Sequence, residues 1–176
     1  MKFATLILAL GGVVVTTGCS SLISLNPFVT DQEAITDAAL PGVWNTDDKD
    51  GMFAIRQAGS TYTIVYSEGS SAPMKFEARL FLAGDAKLLD LVSTNEDPFQ
   101  VPAHLLVRVW PEGSTLRWAF LDSDWFKQQA AEHLSNNAAG DRTLLTAPPV
   151  AVRSFVMKYG AGEKAYDKQQ TLTKAQ

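Results

Sequence analysis

One cysteine and two histidines in 176 residues leave little for metal or redox chemistry to use. A single thiol closes no internal disulfide, so the fold must rely on its apolar core. Neither His104 nor His133 has a histidine or cysteine at i+3 to i+5, so a zinc site would need carboxylates from elsewhere. The plainer reading is one strand histidine and one helix-end histidine, where positive charge suits the dipole. Lysine and arginine are outnumbered, 15 against 19 Asp and Glu, and form no run. Phosphate recognition needs clustered cations, so nucleic acid is excluded as a partner, and so is an electrostatic grip on anionic lipid. The chain has no Gly-x-Ser-x-Gly elbow, and Gly160-Ala161-Gly162 follows an expected helix instead of opening one, so it is no phosphate loop. No cofactor and no catalytic residue is expected.

One long apolar run is present, at the N-terminus. Lys2 precedes the uncharged stretch Phe3 to Val15, which is too short to span ~30 Å of hydrocarbon comfortably. Val15-Thr16-Thr17-Gly18-Cys19 closes it. This arrangement resembles a bacterial lipoprotein signal, with Thr16 where leucine is most usual. The resemblance implies cleavage between Gly18 and Cys19, a lipid on the Cys19 sulfur, and a periplasm-facing domain held to the cell envelope. Ser20 would favour the outer membrane by the enterobacterial sorting rule. The competing version is a plain secreted chain, left with a lone thiol in an oxidising compartment. With residues 1–18 removed, 158 residues remain, enough for one domain.

Residues 19–29 include Asn26-Pro27 and read as a tether, or, since Leu22, Ile23, Leu25 and Phe28 are more apolar than a typical linker, as a segment partly laid against the lipid or the domain. Residues 30–160 read as the folded domain, and residues 161–176 as a polar, frayed tail. Thr30-Asp31-Gln32-Glu33 has capping-box spacing and predicts a short helix to about Ala39, stopped by Pro41-Gly42. The pattern then turns to period two. Phe53 with Ile55, then Tyr62, Ile64 and Tyr66, then Met74, Phe76, Ala78, Leu80 and Leu82 each share a face. Gly84-Asp85 turns the chain; pairing Leu82 with Lys87 sets Arg79 opposite Asp90. Leu105, Val107 and Val109 lead through Pro111-Glu112-Gly113-Ser114 to Leu116, Trp118 and Phe120. Some seven strands at hairpin spacing predict a mainly β, antiparallel up-and-down meander, closed as a barrel or folded as a sandwich. Closure is favoured because it removes the edges. Two helices follow, one capped by Ser123 and ended by Asn136-Asn137, the other opened by Thr146 with Pro148 and Pro149 and closed at Gly160.

Thr46 to Gly51 partly resembles a calcium loop, but with Gly51 at position six the twelfth position is Gln57, and the bidentate carboxylate is missing. An Asp-Gly hairpin turn explains the same residues. Arg108 and Arg117 fall opposite or diagonal if Trp110 pairs with Ser114 or Thr115. Like charges there need a carboxylate, such as Glu77 or Asp90, or an anionic head group between them. Trp118 joins these two arginines as a candidate ligand contact.

Leu40-Pro41-Gly42-Val43-Trp44 resembles the opening motif of lipocalins. That resemblance implies a lipocalin-like barrel closed at one end by Gly42 and Trp44, with a late-strand arginine, Arg108 or Arg117, over the indole. Pro102-Ala103-His104 through Asp124-Trp125, and Leu144-Leu145-Thr146 through Tyr159, resemble small bacterial envelope proteins, a resemblance that carries no activity. The expected function is therefore non-enzymatic binding. A small hydrophobic ligand would occupy an interior lined by Ile64, Tyr66, Met74, Phe76 and Trp118. An envelope partner would use a patch of Leu106, Trp110 and Leu121. The opposing reading is a hydrolase, with Ser or Asp within reach of His104 or His133, or a structural protein of the envelope.

Overall fold

Eight antiparallel strands close into a barrel in the computed structural model, which describes residues 22–94, 101–130, 134–139, 142–166 and 168–175. Cys19, Gly18, the signal segment and His133 lie outside the described residues. In chain order the strands are β1 (Leu22–Ser24), β2 (Gly42–Thr46), β3 (Gly51–Ala58), β4 (Thr61–Glu68), β5 (Met74–Ala83), β6 (Ala86–Ser93), β7 (His104–Glu112), β8 (Thr115–Phe120), β9 (Asn136–Ala139), β10 (Arg142–Leu145) and β11 (Gln170–Lys174). The helices are α1 (Ser123–Ala130) and α2 (Pro149–Tyr159). Strands β2 to β8 follow one another around the wall, β6 pairing with β7, and β11 joins β8 to β2. A short parallel and antiparallel extension, β1-β10-β9, leaves the wall at β7.

The hairpin register follows the expected period. Leu82 lies opposite Lys87 and Arg79 opposite Asp90. The side chains of that last pair nevertheless go elsewhere: Arg79 reaches Asp31 at 2.6 Å and Glu77 at 3.0 Å. Asp90 is fully buried and accepts the Phe28 N–H. Two separate cores result. One fills the closed half of the barrel around Trp44, Tyr62 and Leu80. The other lies outside the wall, where Phe81, Leu88, Leu106 and Leu121 pack under Phe28, Phe126, Val152 and Val156. Strands β6 and β7 are thus covered on both faces, which is why Leu88-Leu89 and Leu105-Leu106-Val107 are continuous apolar runs.

Four expectations are corrected. Residues 22–29 are no free tether, because Leu22 pairs in a sheet and Phe28 is buried against the barrel wall. The capping-box segment forms one 3-10 turn, Asp31–Glu33, before Ile35 bridges to Leu80. Glu33 accepts the Thr30 N–H, but sheet pairing prevails over further helix. The tail is no frayed end: Gln170–Lys174 is the closing strand, with Leu172 buried. Asn136 and Asn137 open β9 instead of merely ending α1. The caps also differ in detail, since Asp122 Oδ1, not Ser123, accepts the N–H groups of Asp124 and Trp125. Gly160 is needed for space, as a Cβ there would lie 2.5 Å from the Val156 carbonyl oxygen.

Leu172→Ala should therefore cost about 2–4 kcal/mol in urea unfolding, whereas Thr173→Ala, on the exposed face of the same strand, should stay within about 0.5 kcal/mol. A silent Leu172→Ala would mean that β11 does not hold the ring.

Candidate functional site

The barrel has one stoppered end and one open end, and the strand directions assign them. Strands β2, β4 and β6 begin at the stoppered end, with Gly42, Thr61 and Ala86, and β11 runs the other way and ends there at Lys174. The segment from Ile35 to Leu40 crosses that end. Trp44 Nε1 donates to the Leu40 carbonyl oxygen at 2.9 Å, the Asp37 N–H donates to the Tyr62 hydroxyl oxygen at 2.6 Å, and Lys87 Nζ meets the Asp37 carboxylate at 2.6 Å. Trp44 is fully buried. The cation over its ring is Lys174, 5.2 Å from the centroid, rather than Arg108 or Arg117. Gly42 makes room for it: φ is +148°, and a Cβ would come within 2.9 Å of Lys174 Cε.

Above this stopper the inward side chains leave a cavity of about 260 Å³. Ile64, Tyr66, Met74, Phe76 and Trp118 all line it, as their alternation predicts. Phe53, Leu89, Val107 and Leu172 add to the wall, and among the described residues no charged side chain contributes. Thr46 and Gln170 are polar members at its rim, which alternation around the aromatic residues did not single out. The Gln170-Thr171-Leu172 pattern carried that signal in a segment read as tail. Trp118 packs edge-on to Phe120 at 5.1 Å between ring centroids, and its Nε1 has no hydrogen-bond partner among the described residues.

Arg108 and Arg117 do not join Trp118. Trp110 pairs with Arg117 in the sheet, so the three side chains share the outer face, and both guanidinium groups stack on the Trp110 ring at 4.7 and 5.4 Å. The indole between the two cations and the Glu112 carboxylate on Arg117 together relieve the expected like-charge repulsion, so no anionic ligand is needed there. Arg108 is buried, donates to the Ala161 carbonyl oxygen at 2.7 Å and lies over Tyr166. Arg117 pairs with Glu112 and Gln169, not with Glu77 or Asp90. Burial pushes the Tyr166 phenol above its ordinary range, and Arg108 opposes that. The expected partner patch is also lost, because Leu106 and Leu121 are buried and Trp110 packs against the outer core.

The Thr46-to-Gly51 segment is a tight hairpin turn, with Lys49 at φ +62° and the Thr46 hydroxyl bridging Asp48 and the Gly51 carbonyl. Among the described residues, no cluster of His, Cys, Asp or Glu is placed to hold a metal. Asp90 does stand within reach of His104, at 2.7 Å, the spacing a hydrolase requires. Both lie outside the wall, however, and Ser24, opposite His104 in the sheet, donates its hydroxyl to the Asn26 carbonyl oxygen. The pair closes the seam between β6, β7 and the Phe28 segment. No family model, curated protein or solved structure matches this chain.

The Lys87 hydrogen bond, helped by the Ala39 N–H, holds the Asp37 carboxyl below its ordinary value. Its stabilisation is therefore complete above about pH 4 and lost as the pH falls through the folded value. Asp37→Asn should lower stability at pH 7 by no more than about 1 kcal/mol, the partner lysine being partly exposed. Thermal melts of the two proteins should converge as the pH falls below 4; a difference that widens there would contradict the assignment.

Proposed function

We propose that this chain is a lipid-anchored protein of the bacterial envelope, of lipocalin-like design, that binds a small hydrophobic molecule inside its barrel. The apolar cavity carries this reading. At about 260 Å³ it exceeds the ~150 Å³ apolar cavities that stay dry and take up benzene. Keeping such a space empty instead of packed forgoes at most about 6 kcal/mol, at ~24 cal/mol per Å³. A domain without disulfides has reason to fill it. The absence of charge from the lining favours hydrocarbon over an anionic group. Gly42 and Trp44 at the stoppered end, with a cation from the last strand over the indole, support the lipocalin-like comparison. The Gly18-Cys19 motif supports the anchor, and Ser20 supports the outer membrane as its place.

Titration with a fluorescent single-chain amphiphile should give saturable binding with one site per chain. Leu105→Trp, which fills the cavity, should weaken it at least tenfold while the melting temperature changes by only a few degrees. Equal affinity in the variant would move the ligand out of the barrel. Separately, Cys19→Ala should transfer the protein from the membrane fraction to the soluble envelope fraction. Retention in the membrane fraction would contradict the anchor.

A further inference from the structure

The anchor and the fold lie too close together in the chain for the domain to stand away from the bilayer. Only Ser20 and Ser21 separate Cys19 from Leu22, so their Cα atoms are at most about 11 Å apart. Leu22 is 3% exposed and fixed opposite Thr143 in the β1-β10 pair. Resting on the anchor reading above, we propose that the barrel flank bearing β1 and the start of α2 is a membrane-docking surface that sits directly on lipid.

The two most exposed apolar residues agree with this placement. Val150, 72% exposed, and Val101, 65%, are the most exposed large hydrophobics among the described residues, and Leu25 is 40% exposed. All three belong to this flank. Leu25 directly follows β1, and the next residue, Asn26, donates from its side-chain amide to the carbonyl oxygen of Ala147, three residues before Val150. Val101 precedes His104, the residue paired with Ser24. Pro27, Val29, Pro149 and Val150 also line one side of an open groove between the two segments, whose other lining residues, Thr30, Gln32, Glu33 and Arg153, are polar.

Charge is arranged to the same end. Around the wall, β3 and β4 lie diametrically across from β7, on which β1 is seated. Asp47, Asp48, Asp50 and Glu68 belong to the loop and strand end on that far side. These four acidic groups are thus held away from the surface that the anchor draws to the headgroups, and Glu33, which lines the groove, is paired with Arg153. Ser24 and His104 also mark the open end of β7, so the docked flank places the cavity mouth beside the bilayer.

The test uses the full lipidated chain in phosphatidylcholine vesicles, carrying a polarity-sensitive fluorophore at Val150→Cys or, across the barrel, at Met52→Cys. Lipids brominated near the headgroup should quench the first probe at least threefold more than the second. A twelve-residue Gly/Ser spacer inserted between Ser21 and Leu22 should abolish most of that difference. Equal quenching at both positions in vesicle-bound protein would overturn the docking surface while leaving the anchor intact. So would a difference that the spacer does not reduce. Protein that carries no lipid and does not stay with the vesicles would instead overturn the anchor reading and this inference together.

Discussion

The structure depends on one backbone event, the insertion of β11 between β2 and β8. Without it, β2 and β8 each expose a row of unpaired N–H and C=O groups, and the sheet is an open meander with two sticky edges. With it, every strand of the wall has two neighbours and the inward side chains face a common interior. Lys174, at the end of the same strand, lies over Trp44 and completes the stopper. Closure and the sealing of one end are therefore carried by the same five residues.

A closed wall has two faces, and the chain uses them unequally. On the β5 to β8 side, the outer surface is buried under the N-terminal segment and both helices, and most polar groups there are paired locally, Arg108 Nε and the Tyr166 hydroxyl being exceptions among the described residues. Asp90 meets His104 and the Phe28 N–H, while Arg108 meets Trp110 and the Ala161 carbonyl. These groups make the seam between wall and covering layer, and none reaches the interior. The inner face keeps only apolar and aromatic contacts around the cavity, apart from Thr46, Gln170 and the Tyr66 hydroxyl, which is turned to Glu68. The apolar cavity and the structural polarity are thus separated by the thickness of one sheet.

Much of this is legible in the order of residues because period-two alternation reports directly on which side chains share a face. Ile64, Tyr66, Met74, Phe76 and Trp118 meet in the cavity for that reason, and Leu82 finds Lys87 because Gly84-Asp85 fixes the hairpin. The closing strand escaped because Gln170 to Lys174 is short and mostly polar, and its partners lie more than a hundred residues away at β2. Composition reads such a segment as a tail; only long-range pairing makes it a strand. The two arginines do fall diagonal on the outer face, but Trp110 lies opposite Arg117 and not Ser114 or Thr115, and alternation alone does not show that an aromatic ring lies between them. The tether was misjudged for the converse reason: Leu22, Phe28 and Val29 are apolar because they are covered.

The central claim is that the barrel interior is a binding site rather than a packing defect. Native mass spectrometry of the full chain, purified from its own cells in mild detergent, tests this most directly. The claim predicts a second mass species heavier by one apolar molecule, lost on collisional activation and absent from Leu105→Trp prepared in the same way. A single bare species in both preparations, or an adduct that persists undiminished in Leu105→Trp, would contradict it.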